Sequence, residues 1–121
     1  MFTIKLSGSG SGTITTTGNI NCKTITLYST ASNKTFLIDG ETVSISEKLD
    51  IDEGTLKITS GSLSIKSNSS TSVSLSGGTI DIDGGTLTVG NGSLADLTMS
   101  GGTLDVSGGT LNISDELDVA K

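Results

Sequence analysis

Hydrophobic residues recur along this chain as apolar-x-apolar triplets: Leu49/Ile51, Leu56/Ile58, Leu63/Ile65, Val73/Leu75, Ile80/Ile82, Leu87/Val89, Leu97/Met99, Leu104/Val106 and Leu111/Ile113. The steps between their first members are 7, 7, 10, 7, 7, 10, 7 and 7, so one cycle takes 24 residues. Residues 49–72, 73–96 and 97–120 therefore align without a gap, and six columns are apolar in all three copies. A period-2 triplet marks a strand with one buried face. Self-similarity at a fixed period marks a repeat architecture.

Each cycle predicts three short strands. Corners fall at Gly77-Gly78, Gly84-Gly85, Gly101-Gly102 and Gly108-Gly109, where a tight change of direction costs least. A three-strand cycle that stacks on its own next copy is a parallel β-solenoid, rising by one strand spacing of about 4.8 Å per coil. A hairpin meander would make neighbouring triplets antiparallel and give the columns no reason to match. The expected fold is all-β: a parallel β-solenoid with three short strands per coil, a 24-residue repeat and about five coils. A right-handed coil is expected because parallel crossovers are nearly always right-handed.

The N-terminal part keeps the theme loosely, with triplets at Ile4/Leu6, Ile14/Thr16, Ile20/Cys22, Ile25/Leu27, Phe36/Ile38 and Val43/Ile45. The organisation expected is a strand arm with a Gly/Ser linker over 1–12, irregular coils over 13–48, and regular coils over 49–121. A sixteenth triplet, Leu117/Val119, closes the series without a cap. The core ladder is assigned to the eighteen residues of the nine regular triplets.

Composition changes this picture little but excludes much chemistry. Of 121 residues 32% are hydrophobic, 17 are Gly, 20 Ser and 19 Thr, with no Pro, His, Trp or Arg. Lacking His, the chain has no imidazole base and no His-ligated metal. The lone Cys22 excludes a disulfide framework and a multi-Cys zinc site; beside Ile20 it reads as a small buried hydrophobe. Seven Lys and a net charge of −6 argue against nucleic acid. No run approaches the ~20 apolar residues of a membrane helix, and residues 1–12 do not read as a secretory leader.

Asp81, Asp83 and Asp105 invite a metal or glycosidase reading. Asp81 lies between two inward residues, so the column Lys57/Asp81/Asp105 reads as a solvated outer face. No Gly-Gly site continues into the calcium-binding nonapeptide. The Thr55/Thr79/Thr103 and Ser62/Thr86/Thr110 columns suggest an ice-binding face, but charged columns beside them spoil a flat hydroxyl array, and Thr is a common strand residue. Asn33, Asn68, Asn91 and Asn112 fit the N-glycosylation pattern, a weak signal in a Ser/Thr-rich chain. No catalytic residue, metal or cofactor is expected, and no enzymatic activity.

The ends carry the functional expectation. A monomeric solenoid needs polar caps over its terminal coils, and neither end offers an amphipathic helix, a Pro or a long charged loop. Residues 1–48 hold four Lys and three acids, net +1, whereas 49–121 hold three Lys and ten acids, net −7. Head-to-tail contact is thus steered, and tail-to-tail contact repelled. The expected interface comprises Phe2, Ile4, Lys5 and Leu6 at the head and Asp115, Glu116, Leu117, Asp118 and Val119 at the tail, with the N-terminal arm reaching onto a neighbour.

The strings GGTIDIDGGTLTV (residues 77–89) and GGTLDVSGGTLNI (residues 101–113) resemble the Gly-Gly-Thr-Leu strand-turn repeats of β-helical bacterial adhesins and autotransporter passenger stalks. The resemblance covers about residues 49–121 and implies a surface-exposed, non-enzymatic structural role. The function expected is a subunit that assembles head to tail with itself into a β-solenoid filament, outside the cell or at its surface. The alternative is an adhesion module, or a component of a virion fibre, whose flat faces contact a glycan or a protein.

Overall fold

The structure, a computed structural model, describes residues 3–6, 11–28, 34–67, 72–90 and 96–119. All regular structure among them is strand: β1 (Thr3–Leu6), β2 (Gly12–Thr15), β3 (Ile20–Leu27), β4 (Lys34–Ile51), β5 (Thr55–Ile65), β6 (Val73–Leu75), β7 (Thr79–Ile82), β8 (Thr86–Val89), β9 (Leu97–Met99), β10 (Thr103–Val106), β11 (Thr110–Ile113) and β12 (Leu117–Val119). Every pairing is parallel. The chain is a β-solenoid with three faces.

On the first face the stacked rungs begin at Ile4, Ile25, Leu49, Val73, Leu97 and Leu117. The second face carries Ile14, Phe36, Leu56, Ile80 and Leu104. The third carries Ile20, Val43, Leu63, Leu87 and Leu111. The 24-residue columns of the sequence are the ladder registers: Leu49↔Val73↔Leu97, Leu56↔Ile80↔Leu104 and Leu63↔Leu87↔Leu111. Two faces climb four steps and the first climbs five.

The N-terminal coils are shorter and less regular. Steps of 20 to 24 residues separate their rungs, and the register shifts between Cys22 and Thr24, Ile38 and Asp39, and Asp39 and Thr42. There β4 runs through two corners without leaving the sheet. In the regular coils the corners are pinned by sequence. Gly85, at φ +71°, lies so close to the Gly61 carbonyl oxygen of the coil beside it that a Cβ would collide with it. Corner side chains also link coils directly: Ser76 Oγ donates to Asp52 Oδ1 and Ser107 Oγ to Asp83 Oδ1, each at 2.8 Å.

Inward residues from Leu6 to Leu97 form one continuous column of core. The N-terminal strand is not a detached arm. β1 pairs with β3 of its own chain, Ile4 on Ile25 and Leu6 on Leu27, and Tyr28 N–H donates to the Leu6 carbonyl at 2.9 Å. Ile4 and Leu6 repeat the inward pattern of Ile25 and Leu27 one coil earlier, so the strand completes a rung at home.

Candidate functional site: the two ends of the solenoid

Each terminal coil presents a ring of strand edges around a mouth of apolar side chains. At the N-terminal end the ring is β1, β2 and residues 20–22 of β3, each paired on one side only among the described residues. Leu6 and Cys22 are buried, Ile4 and Ile20 are half-buried, and Ile14 is 50% exposed. A cavity of about 390 Å³ opens there between Ile4, Ile14, Ile20 and Phe36. Thr16 lines it from an inward position. Its backbone N–H reaches the Leu37 carbonyl at 3.0 Å, but its buried hydroxyl has no partner among the described residues. A second hollow of about 240 Å³ lies between β1 and β2 and is flanked by Lys5 and Lys34.

At the C-terminal end the ring is β10, β11 and β12, again paired on one side only among the described residues. Met99, Leu104, Leu111 and Ile113 are half-buried against the core. Val106, Leu117 and Val119 stand 43%, 46% and 54% exposed. Thirteen of the eighteen ladder residues assigned from sequence are fully buried; the other five, Met99, Leu104, Val106, Leu111 and Ile113, are those of the last coil. They face inward like the rest; Val119 of β12 lies over Met99, and no described rung covers the other four.

The interface residues inferred from sequence divide between these rings. Ile4 and Leu6 point into the N-terminal mouth and Lys5 is exposed beside it; Phe2 lies outside the described residues. Asp115, Glu116, Leu117, Asp118 and Val119 are all exposed at the opposite end. Sequence reading missed the N-terminal cavity and the unpaired Thr16 hydroxyl. The Ile14/Thr16 triplet, with a hydroxyl where an aliphatic group is expected, was its signal.

The acidic column on the second face is in register as Lys57↔Asp81↔Asp105. Lys57 Nζ lies 3.9 Å from Asp81 and 3.2 Å from Asp83. Burial, above all, pushes the Asp81 carboxyl up from its ordinary value, with its hydrogen bond to Asp83 adding to the effect. The hydrogen bond from Ser107, followed by that from Lys57, pulls Asp83 down. Among the described residues no group of three or more His, Cys, Asp or Glu is placed to hold a metal ion. Burial raises the Cys22 thiol, which disfavours its nucleophilic thiolate form. Asn33, Asn68 and Asn91 lie outside the described residues.

Compared with protein-family models, curated proteins and solved structures, the chain matches none. The likeness of its Gly-Gly-Thr-Leu strings to adhesin and autotransporter stalks therefore rests on the repeat alone.

Proposed function

We propose that this protein is a structural subunit that stacks head to tail on copies of itself to form a β-solenoid filament. The observation that supports this most is the pairing of its two ends. Each exposes inward-facing apolar side chains together with strand edges that are unpaired among the described residues, and exposed edges of this kind are templates for further pairing. The two surfaces differ, so the contact between them is heterologous, and a heterologous contact that does not close on itself yields a fibre. Charge favours the same polarity, with Lys5 and Lys23 near the head and Asp115, Glu116 and Asp118 at the tail. The adhesin-like repeat adds a setting, a stalk or fibre outside the cell.

Sedimentation velocity and negative-stain imaging of the purified 121-residue chain at micromolar concentration test the reading. Fibres that lengthen with concentration are expected. A single 12.1-kDa species at every concentration would overturn it.

A further inference from the structure

The rung count of the three faces is unequal, and this constrains how two copies can join. Among the described residues the first face has six rungs, and the second and third have five each. Let a second copy continue the ladders of the second and third faces, its β2 one rung beyond β10 and its residues 20–22 one rung beyond β11. Its β1 then arrives at the level that β12 already occupies. One place on the first face is claimed by two strands. If both strands stay, the copies stand one rung further apart. The second and third faces then each lack a rung, leaving edges about 9.6 Å apart where a ladder needs about 4.8 Å.

Resting on the head-to-tail reading, we propose that β12 is the strand that yields: it caps β9 in the free subunit and is displaced when the β1 of a second copy takes its rung. The two strands are held very differently. β1 pairs over four residues, buries Leu6 to 2% exposure, and is followed by the Tyr28-to-Leu6 hydrogen bond. β12 pairs over three residues, and both of its inward side chains remain about half exposed. The corner leading to β12 is held by the Leu97 N–H, which donates to the Glu116 carbonyl at 3.1 Å, yet it sets Glu116 beside Asp96, whose carboxylate accepts from the Glu116 N–H at 3.3 Å. Like charges facing each other across a ladder oppose pairing.

The incoming strand fits the place better than the one it replaces. In the ladder register β1 would set Ile4 on Leu97 and Leu6 on Met99, continuing the Leu49/Val73/Leu97 and Ile51/Leu75/Met99 columns. An Ile/Leu pair carries one more methylene than Leu/Val, and Lys5 replaces Asp118 on an acidic end. β12 thereby keeps a free subunit's growing edge covered until a correct partner displaces it.

Two cysteine pairs in the full chain test this, each read oxidised and reduced, with circular dichroism confirming the fold. Thr98→Cys with Asp118→Cys ties β12 to β9 at a register pair. Thr3→Cys with Thr24→Cys ties β1 to β3 in the same way. With the β12 tie closed, elongation is expected to stop, and reduction should restore it. With the β1 tie closed, elongation should continue unchanged. The reverse pattern, both ties blocking, or neither blocking would overturn the displacement of β12. Absence of fibres from the reduced variants and from the unmodified chain would instead overturn the head-to-tail reading on which it rests.

Discussion

Lys57 makes its shorter ion pair, 3.2 Å, with Asp83 and not with its register partner. That partner, Asp81, is left at 3.9 Å with one carboxylate oxygen, Oδ1, buried and without a hydrogen bond among the described residues. The outward column is thus unevenly satisfied. Asp83 takes Lys57 and Ser107, while Asp81 stands between Lys57 and the like-charged Asp105.

Asp81→Asn should therefore raise the melting temperature by about 2–4 °C near pH 7. The sign follows from linkage. A carboxyl whose folded value is raised stabilises the fold below its ordinary 3.8, and that contribution is lost as pH rises through the folded value. At neutral pH Asp81 is an ionised liability that Asn removes. Below pH 3.8 the wild-type carboxyl is protonated, so the advantage of Asn should fade. Thermal melts of both proteins between pH 3 and 7 check this; an undiminished advantage at pH 3 would contradict it.

The inward and outward faces can be separated by one substitution used twice. Ile82 is fully buried, so Ile82→Asp places an unpaired carboxylate in the core at a cost of several kcal/mol and should prevent folding. Thr88 sits outward between Ser64 and Asn112 in the ladder. Thr88→Asp should change stability by less than about 0.5 kcal/mol. Comparable loss of the β signal in circular dichroism for both variants would refute the assignment.

A corner glycine and a strand glycine should differ in their tolerance of a methyl group. Gly85→Ala meets both the Gly61 carbonyl and a positive φ of 71°, and should cost about 1–3 kcal/mol. Gly12, at the start of β2, has open space where a Cβ would stand among the described residues and no positive φ. Gly12→Ala should be neutral in urea melts.

How much of this was legible in the sequence depended on corner length. From Leu49 to Ile113 the corners keep constant lengths, so columns such as Ile58/Ile82/Val106 could be read directly as ladders; the last corner is shorter, and Leu117 meets Leu97 after 20 residues instead of 24. Before Leu49 the corners vary and the register slips at Cys22 and at Asp39. The apolar pairs are visible there, but their stacking is not. Ile4/Leu6 was read as an arm because residues 7–12 resemble a tether. Its 21-residue step to Ile25 is nevertheless a coil of the length its neighbours use. Mouths and cavities arise only where a coil has no neighbour, which no local pattern encodes.

Thr16 offers a test of the N-terminal mouth. Thr16→Val keeps the shape and removes a buried hydroxyl that has no partner among the described residues, so it should stabilise the chain by about 1 kcal/mol. Urea unfolding checks this. A loss of stability would mean that the hydroxyl is satisfied within the cavity.

The central claim, that the two ends continue one another's ladders, is tested most directly by the helical rise of assembled fibres measured by cryo-electron microscopy. Five rungs of about 4.8 Å per subunit give an expected rise of about 24 Å, with strands perpendicular to the fibre axis and density continuous across each junction on all three faces. Fibres whose subunits meet side by side, with breaks in the ladder at every terminal coil, would contradict it.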